Sequence, residues 1–559
     1  MLFKYVIAAA VLLALLRKLQ VRLRLSRAKH PSIQGHVRMS RRLARLIPFY
    51  EYDEPTFFGC DGAPVDIVAS RREGFARLSA LFGQRAPASL AVGQTLKSCL
   101  SDAPFVNAYR VPFQFRRHVD LHLPVVTVSQ ASAGAQLTDM DGNQVYDLSG
   151  SYGFNLFGYA FYKECLAEGY DNAQALGPVL GNYHPVVAEN VERLTRLSGL
   201  DEVSFHMSGT EAVMQAVRLA RYNTGRTHLV RFCGAYHGWW DGVQAGVGGH
   251  RPAPDVYTLR EMHESTLQVL RTRANIACVL VSAFQALHPN RAAPGDAGLI
   301  NSDRRGEYDF AAYTAWLKQL RSVCSERGIV LIFDEVFSGF RLAYGGAQEY
   351  FGVAADMVTY GKTLGGGLPV GVLCGASRFM RRHREDRPAD ICFARGTFKE
   401  HPYVMTAMNA FLRRLEQPAI RGRYDEEHKR WDTRAAELNR ELAAANLPLR
   451  IDHMMSVWSV SYTVPSRYNW MFQYYLRAEN LALSWTGTGR LIMTHGLPDA
   501  DFDIIKQRFI AAARAMQHDG WWWQEPGLTD KAIKRQVLRE LITVRLRPSR
   551  ANGRLTQSM

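Results

Sequence analysis

Beyond about Asp139 the chain alternates short, almost continuously apolar runs with longer amphipathic segments. The runs are Val203–His206, His228–Phe232, Ala277–Ala283, Ile329–Phe333, Met357–Tyr360 and Leu368–Cys374. A strand with one wet face alternates apolar and polar residues, whereas a continuously apolar strand is buried on both faces. Such strands separated by helices predict an α/β domain with a mostly parallel sheet covered on both sides. Ligands in such sheets sit beyond the carboxyl ends of the strands, so residues following each run are candidates for chemistry.

The two ends of the chain follow other patterns. Tyr5–Leu16 is unbroken apolar sequence, with Arg17 and Lys18 directly after it. A bilayer span takes about 20 apolar residues, so this run is short for one. A signal anchor, a helix lying in the membrane interface and a cleaved signal peptide all remain open. The favoured expectation is attachment to the inner face of a membrane, with the body in the cytoplasm. Near the other end, Trp521, Trp522 and Trp523 suit either a membrane interface or a domain core. Lys531–Leu546 has the spacing of a basic amphipathic helix.

Charge sharpens this division. The net charge is +16, yet residues 1–50 hold 11 Lys/Arg and no acid, and residues 530–559 hold eight Lys/Arg against Asp530 and Glu540. The stretch between them is close to neutral, which argues against a surface that tracks nucleic-acid phosphates. At 47% apolar and 21% charged residues, the chain has the make-up of a folded protein. Its eight cysteines form no C-x-x-C pair, so the spacing suggests no metal knuckle and predicts buried free thiols.

Four strand exits carry candidate chemistry. Ser208, Gly209 and Thr210 follow Val203–His206 and open a helix-type stretch. They read either as an ordinary cap or as a cup of free N–H groups for an anion. Tyr236 and His237 follow His228–Phe232 and could flank a flat ring. Asp334 ends Ile329–Phe333, where a buried carboxylate needs a partner. Lys362 follows Met357–Tyr360, with Gly361 before it and Gly365–Gly367 after it. Each alone has a bland explanation. Together they supply an anion site, a ring platform, a partner for a pyridinium and an amine, the set that pyridoxal 5'-phosphate (PLP) requires.

Six segments resemble class III aminotransferases of PLP fold type I, in the glutamate-1-semialdehyde aminomutase branch. They are Asp139–Asp147, Met207–Ala212, Tyr236–Gly238, Leu331–Arg341, Gly345–Gln348 and Thr359–Gly371. Two more, Ser151–Gly158 and Phe393–Pro402, are similar to aminotransferase modules of polyketide and peptide synthetases. The resemblance implies that Lys362 holds the cofactor as a Schiff base and shuttles protons. It implies that Asp334 keeps the pyridine nitrogen protonated and Tyr236 stacks on the ring. Ser208, Gly209 and Thr210 would hold the phosphate, and His237 and Gln285 would belong to the cofactor site. Thr397 would reach the phosphate of a neighbouring subunit, which implies a homodimer.

Where relatives carry Glu-Pro, this chain has Ser282-Ala283. The aminomutase's carboxylate-gripping arginine has its nearest match in Arg110, displaced by one position, and its late glutamate has no match around Trp485–Arg490. The expected reaction is therefore transamination of an acyl-chain or polyketide-derived aldehyde or ketone, free or on a carrier protein, in a natural-product pathway. A 2,1-aminomutase is the alternative. The expected layout is a membrane-associating segment 1–50 and a segment 51–125 whose later part joins the main fold. A PLP-binding large domain 126–415, a small α+β domain 416–520 and a basic tail 521–559 follow.

Overall fold

The computed structural model describes residues 2–30, 37–103, 111–243, 254–290, 306, 308–483 and 490–546. Arg110, most of Trp485–Arg490 and the end of the basic tail lie outside the described residues.

The apolar runs form one seven-stranded sheet. Its strands are β1 (Glu202–His206), β2 (His228–Phe232), β3 (Val256–Leu259), β4 (Ile276–Val281), β5 (Val330–Asp334), β6 (Met357–Gly361) and β7 (Gly371–Gly375). The order across the sheet is β1-β7-β6-β5-β4-β2-β3. β7 runs antiparallel to both of its neighbours, and the remaining pairings are parallel. Every residue of β4, β5, β6 and β7 is buried, as continuous apolarity predicts. β3 escaped the sequence pattern because it is only four residues long and contains Thr258.

Helices cover the sheet. The one that shapes the site spans Gly209–Thr224. Ser208 caps it by accepting a hydrogen bond from the Glu211 N–H at 3.3 Å, and Gly225 ends it at φ 66°. Its buried face runs through Val213, Ala216, Val217 and Ala220.

A second core gathers distant parts of the sequence. Phe57, Phe58, Phe75, Leu78, Val111 and Phe115 pack with Trp431, Trp458, Trp470 and Phe509. Segment 51–125 therefore completes the hydrophobic interior of the C-terminal region. Tyr146 and Leu148 join the same core, and strand Gln144–Asp147 pairs with Leu481–Ala482. Residues around 129–148 thus pack with the smaller region instead of the large domain expected to begin at 126. The expected boundary at 521 also cuts through this core. Trp521 is fully buried, with its Nε1–H donating to Tyr475 Oη at 2.7 Å, and Trp522 is 7% exposed. The indoles close the interior and do not form an exposed membrane girdle. All eight cysteines are free, and six are buried.

The N-terminal helix runs from Leu2 to Ala28. Among the described residues no helix is long and apolar enough to cross a membrane, so the spanning reading is corrected. Basic residues from Arg17 onward interrupt the apolar run before it reaches bilayer length. The segment that ends the helix locks onto β3. Arg260 N–H donates to Ala28 O at 2.9 Å, His30 N–H donates to Thr258 O at 3.3 Å, and Lys29 bridges Leu259. The outer edge of the large sheet is covered in this way.

Removing Trp521 leaves a large void and takes one partner from the Tyr475 hydroxyl, which still donates to Asp519 Oδ2 at 2.6 Å. Trp521→Ala should lower stability by about 3–5 kcal/mol in detergent-free denaturant titration. A change near zero would contradict a core role for the indole.

Candidate active site

The exits of β5 and β6 define the site. The two strands are hydrogen-bonded neighbours, with Asp334 opposite Thr359 in register. Asp334 is 6% exposed, and its charge is met by three donors. Thr359 Oγ1 and the Val336 N–H donate to Oδ1, at 3.2 and 3.1 Å. His237 Nδ1 lies 2.7 Å from Oδ2. Against a carboxylate that nitrogen carries the proton, so His237 holds Asp334 in place from β2's exit. The buried Nε2 of His237 has no hydrogen-bond partner among the described residues. Glu335, one residue on, points the other way and receives the Ala347 N–H at 2.8 Å. Burial pushes its carboxyl up to about 7.

Lys362 follows β6 at φ 48°, a left-handed conformation that non-glycine residues rarely adopt. Its Nζ donates to Tyr152 O at 2.7 Å and stands 4.6 Å from the centre of the Phe337 ring. Burial lowers its pKa to about 8. Arg341 and Arg490 lower it further, against the opposing pull of Asp334.

The wall that meets Lys362 is unusual. Gly150, Ser151, Tyr152 and Gly153 are four consecutive residues with positive φ, from 46° to 83°. Left-handed non-glycine residues cost about 1 kcal/mol or more each, so the turn must be held. Asp147 holds it by accepting the Ser149 and Ser151 N–H groups, both at 2.9 Å, and the Tyr159 hydroxyl at 2.6 Å. Gly153 is required by its neighbour, since a Cβ there would lie 2.0 Å from Phe337 Cε2.

A cavity of about 410 Å³ gathers most of the predicted residues. Ser208, Gly209, Thr210, Tyr236, His237, Asp334 and Lys362 all line it. Tyr236 is largely exposed at the rim. Glycines let three backbones converge: a Cβ on Gly371 would lie 2.0 Å from Ser208 O, and one on Gly209 2.6 Å from Val336 Cγ1. Two expected residues lie elsewhere. Gln285 is turned back by the short helix Ala283–Leu287, and its Nε2 donates to Cys233 O and His288 O at 2.8 and 2.9 Å. Ser282 lines the cavity instead. Thr397 is exposed and outside this cavity.

Sequence reasoning passed over Phe337 and Val336, which also line the cavity. It also passed over Arg490, whose buried Nε has no partner among the described residues and whose pKa burial lowers to about 10. A lone arginine beside an unfinished motif gave no signal of its role.

A capped helix N-terminus, a buried strand-end carboxylate and an amine of lowered pKa in one cavity suit a phosphorylated pyridine aldehyde. Residues 118–449 match the family profile of class-III aminotransferases. The chain belongs to the class-III aminotransferase family. As a family member it uses PLP. It is 34% identical over 313 residues to a glutamate-1-semialdehyde 2,1-aminomutase of Citrifermentans bemidjiense, covering 53% of this chain and 67% of the relative. A similarly named protein of Geotalea daltonii is 33% identical over 358 residues, covering 61% and 77%. A solved transaminase with PLP bound superposes at TM-score 0.58 and 25% identity, over 71% of this chain and 92% of that one. The aminomutase of Pseudomonas aeruginosa PAO1 shares the fold at TM-score 0.63 and 17% identity, over 81% and 99%.

Only the neutral form of Lys362 can attack an aldehyde. With its pKa near 8, that form gains across pH 7–9 and is nearly complete above this window. Capture of PLP by cofactor-free protein should therefore accelerate as pH rises through 8 and then level off. A flat stopped-flow absorbance profile between pH 7 and 9 would contradict the lowered pKa.

Proposed function

We propose that this aminotransferase moves an amino group from an amino-acid donor to a carbonyl on an apolar chain of acyl or polyketide origin. The observation that carries the substrate class is a second cleft, of about 430 Å³, bordered by the turn that meets Lys362. Tyr152 lines it, while the carbonyl of the same residue accepts from Lys362 Nζ. Leu96, Leu100, Val126, Leu137 and Leu483 supply apolar walls. Its size is that of a small-molecule site. A hydrocarbon tail lying there would end against the turn whose Tyr152 carbonyl accepts from Lys362 Nζ.

PLP would supply an electron sink for negative charge on the amine-bearing carbon of the substrate. The chain's own residues do the rest. Lys362 Nζ would hold the cofactor and carry a proton to and from the reacting carbon. Asp334 would keep the pyridine nitrogen protonated, with His237 fixing its carboxylate. Tyr236 would cover one ring face, and the Gly209 and Thr210 N–H groups with the Ser208 and Thr210 hydroxyls would hold the phosphate. Arg490, whose Nε has no partner among the described residues, offers its guanidinium to the donor's carboxylate. The exposure of Thr397 is compatible with service to a neighbouring subunit's phosphate in a homodimer. The exposed apolar first turns of the N-terminal helix would hold the protein at a membrane, where long-chain or carrier-bound carbonyl substrates are delivered.

The names of the relatives favour a second reading, a 2,1-aminomutase acting on a small amino aldehyde. Interconversion without an external amino donor would single it out.

Lys362→Ala should cut turnover by at least about 10²–10⁴-fold, and Asp334→Asn should slow it about 10²-fold or more while PLP stays bound. Near-normal turnover in either variant would defeat the assigned roles. Leu96→Trp should lower kcat/KM for long-chain aldehydes about tenfold, with short-chain aldehydes little changed. Equal loss for both lengths in mass-spectrometric assays of amine product would sink the cleft as the tail site.

A further inference from the structure

The helix Asp530–Leu546 has two apolar faces where packing needs one. Its inner face is occupied. Ile533 is buried, and Val537, Leu541 and Val544 are half-buried. Glu540 lies on that side, 2.6 Å from Arg467 Nη1 and accepting from the Tyr50 hydroxyl at 3.0 Å. This clamp fixes how the helix is rotated against the body.

The outer face is different. Leu538, Ile542 and Leu546 stand four residues apart, in one row, and are 56%, 49% and 77% exposed. Lys531, Lys534, Arg535, Arg539 and Arg545 flank the row and are exposed. The helix has only two acids, Asp530 in its first turn and the inward-facing Glu540. Arg545 Nη1 also donates to Leu46 O at 2.5 Å, which joins this helix to the end of helix Val37–Leu46. There Met39, Leu43, Leu46, Ile47 and Phe49 are exposed, with Arg42 and Arg45 among them. The two ends of the chain, far apart in sequence, therefore meet, each carrying exposed apolar residues with cations among them.

We infer that this face docks on an anionic lipid bilayer. It rests on the proposed membrane attachment and adds a second, charge-selective contact to the N-terminal helix. An apolar row sunk among acyl chains beneath a ring of cations meeting phosphate headgroups satisfies both chemistries at once. A nucleic acid would neutralise the cations and leave the leucines and isoleucine in water, so it fits less well. A second copy would set like charges against each other.

The test is vesicle flotation of the full-length holoenzyme. Vesicles of pure phosphatidylcholine are compared with vesicles containing about one third phosphatidylglycerol. The wild type should bind the anionic vesicles more tightly. The triple variant K531E/R535E/R539E should lose about tenfold or more of that binding, and L538D/I542D a similar amount, with PLP content and oligomeric state unchanged. Their binding to neutral vesicles should persist. Equal wild-type binding to both vesicle types, or anionic binding unchanged in the variants, overturns the inference. So does a shift in oligomeric state, which would make the face a self-contact, or loss of RNA binding in the charge variant without loss of lipid binding. The attachment reading fails separately, if L12E/L13E leaves binding to neutral vesicles intact.

Discussion

A single buried carboxylate organises the centre of this molecule. Asp334 ends a fully buried strand, where an unpaired charge would be expensive. It is tolerated because Thr359, the Val336 amide and His237 converge on its two oxygens. Thr359 comes from the adjacent strand, and two residues further on that strand ends at Gly361, directly before Lys362. The ladder that satisfies the acid thus also sets the position of the amine. Acid, amine and the helix after Ser208 sit around one cavity because neighbouring strands must keep register.

Much of this was legible because the signals were local. Continuous apolarity marked six of the seven strands, and each strand exit carried its own chemistry: a capped helix start, an aromatic-histidine pair, a carboxylate and a glycine-flanked lysine. The task of His237 was not legible, because its partner lies 97 residues away. Gln285 was misplaced for a related reason. Its position after β4 was read correctly, but the short helix that follows rotates its amide toward Cys233 and His288. Arg490 was silent in sequence, because its meaning comes from burial without a counter-charge.

The opening segment shows the same limit at larger scale. Phe57, Phe75 and Phe115 look like an isolated aromatic cluster until Trp431, Trp470 and Trp521 close around them. Contacts over more than 300 residues leave no periodicity to read. Arg71 ties the two parts together, with its Nε donating to Gly520 O at 3.0 Å and its guanidinium paired to Asp61 at 2.7 Å. Residues 57–123 and the last portion of the chain therefore fold as one unit around the smaller core, and the cavity of Lys362 belongs to the larger one.

The pairing of residues 28–30 with β3 has a practical consequence. Anyone seeking a more soluble form would be tempted to trim the greasy first helix. A cut made before Arg17 removes the oily portion and leaves the sheet margin sealed. A cut beyond Ala28 bares the free amides and carbonyls of Val256–Leu259, and two trimmed molecules could then zip together along that margin. The helix that begins as an oily, exposed rod ends as a guard against clumping.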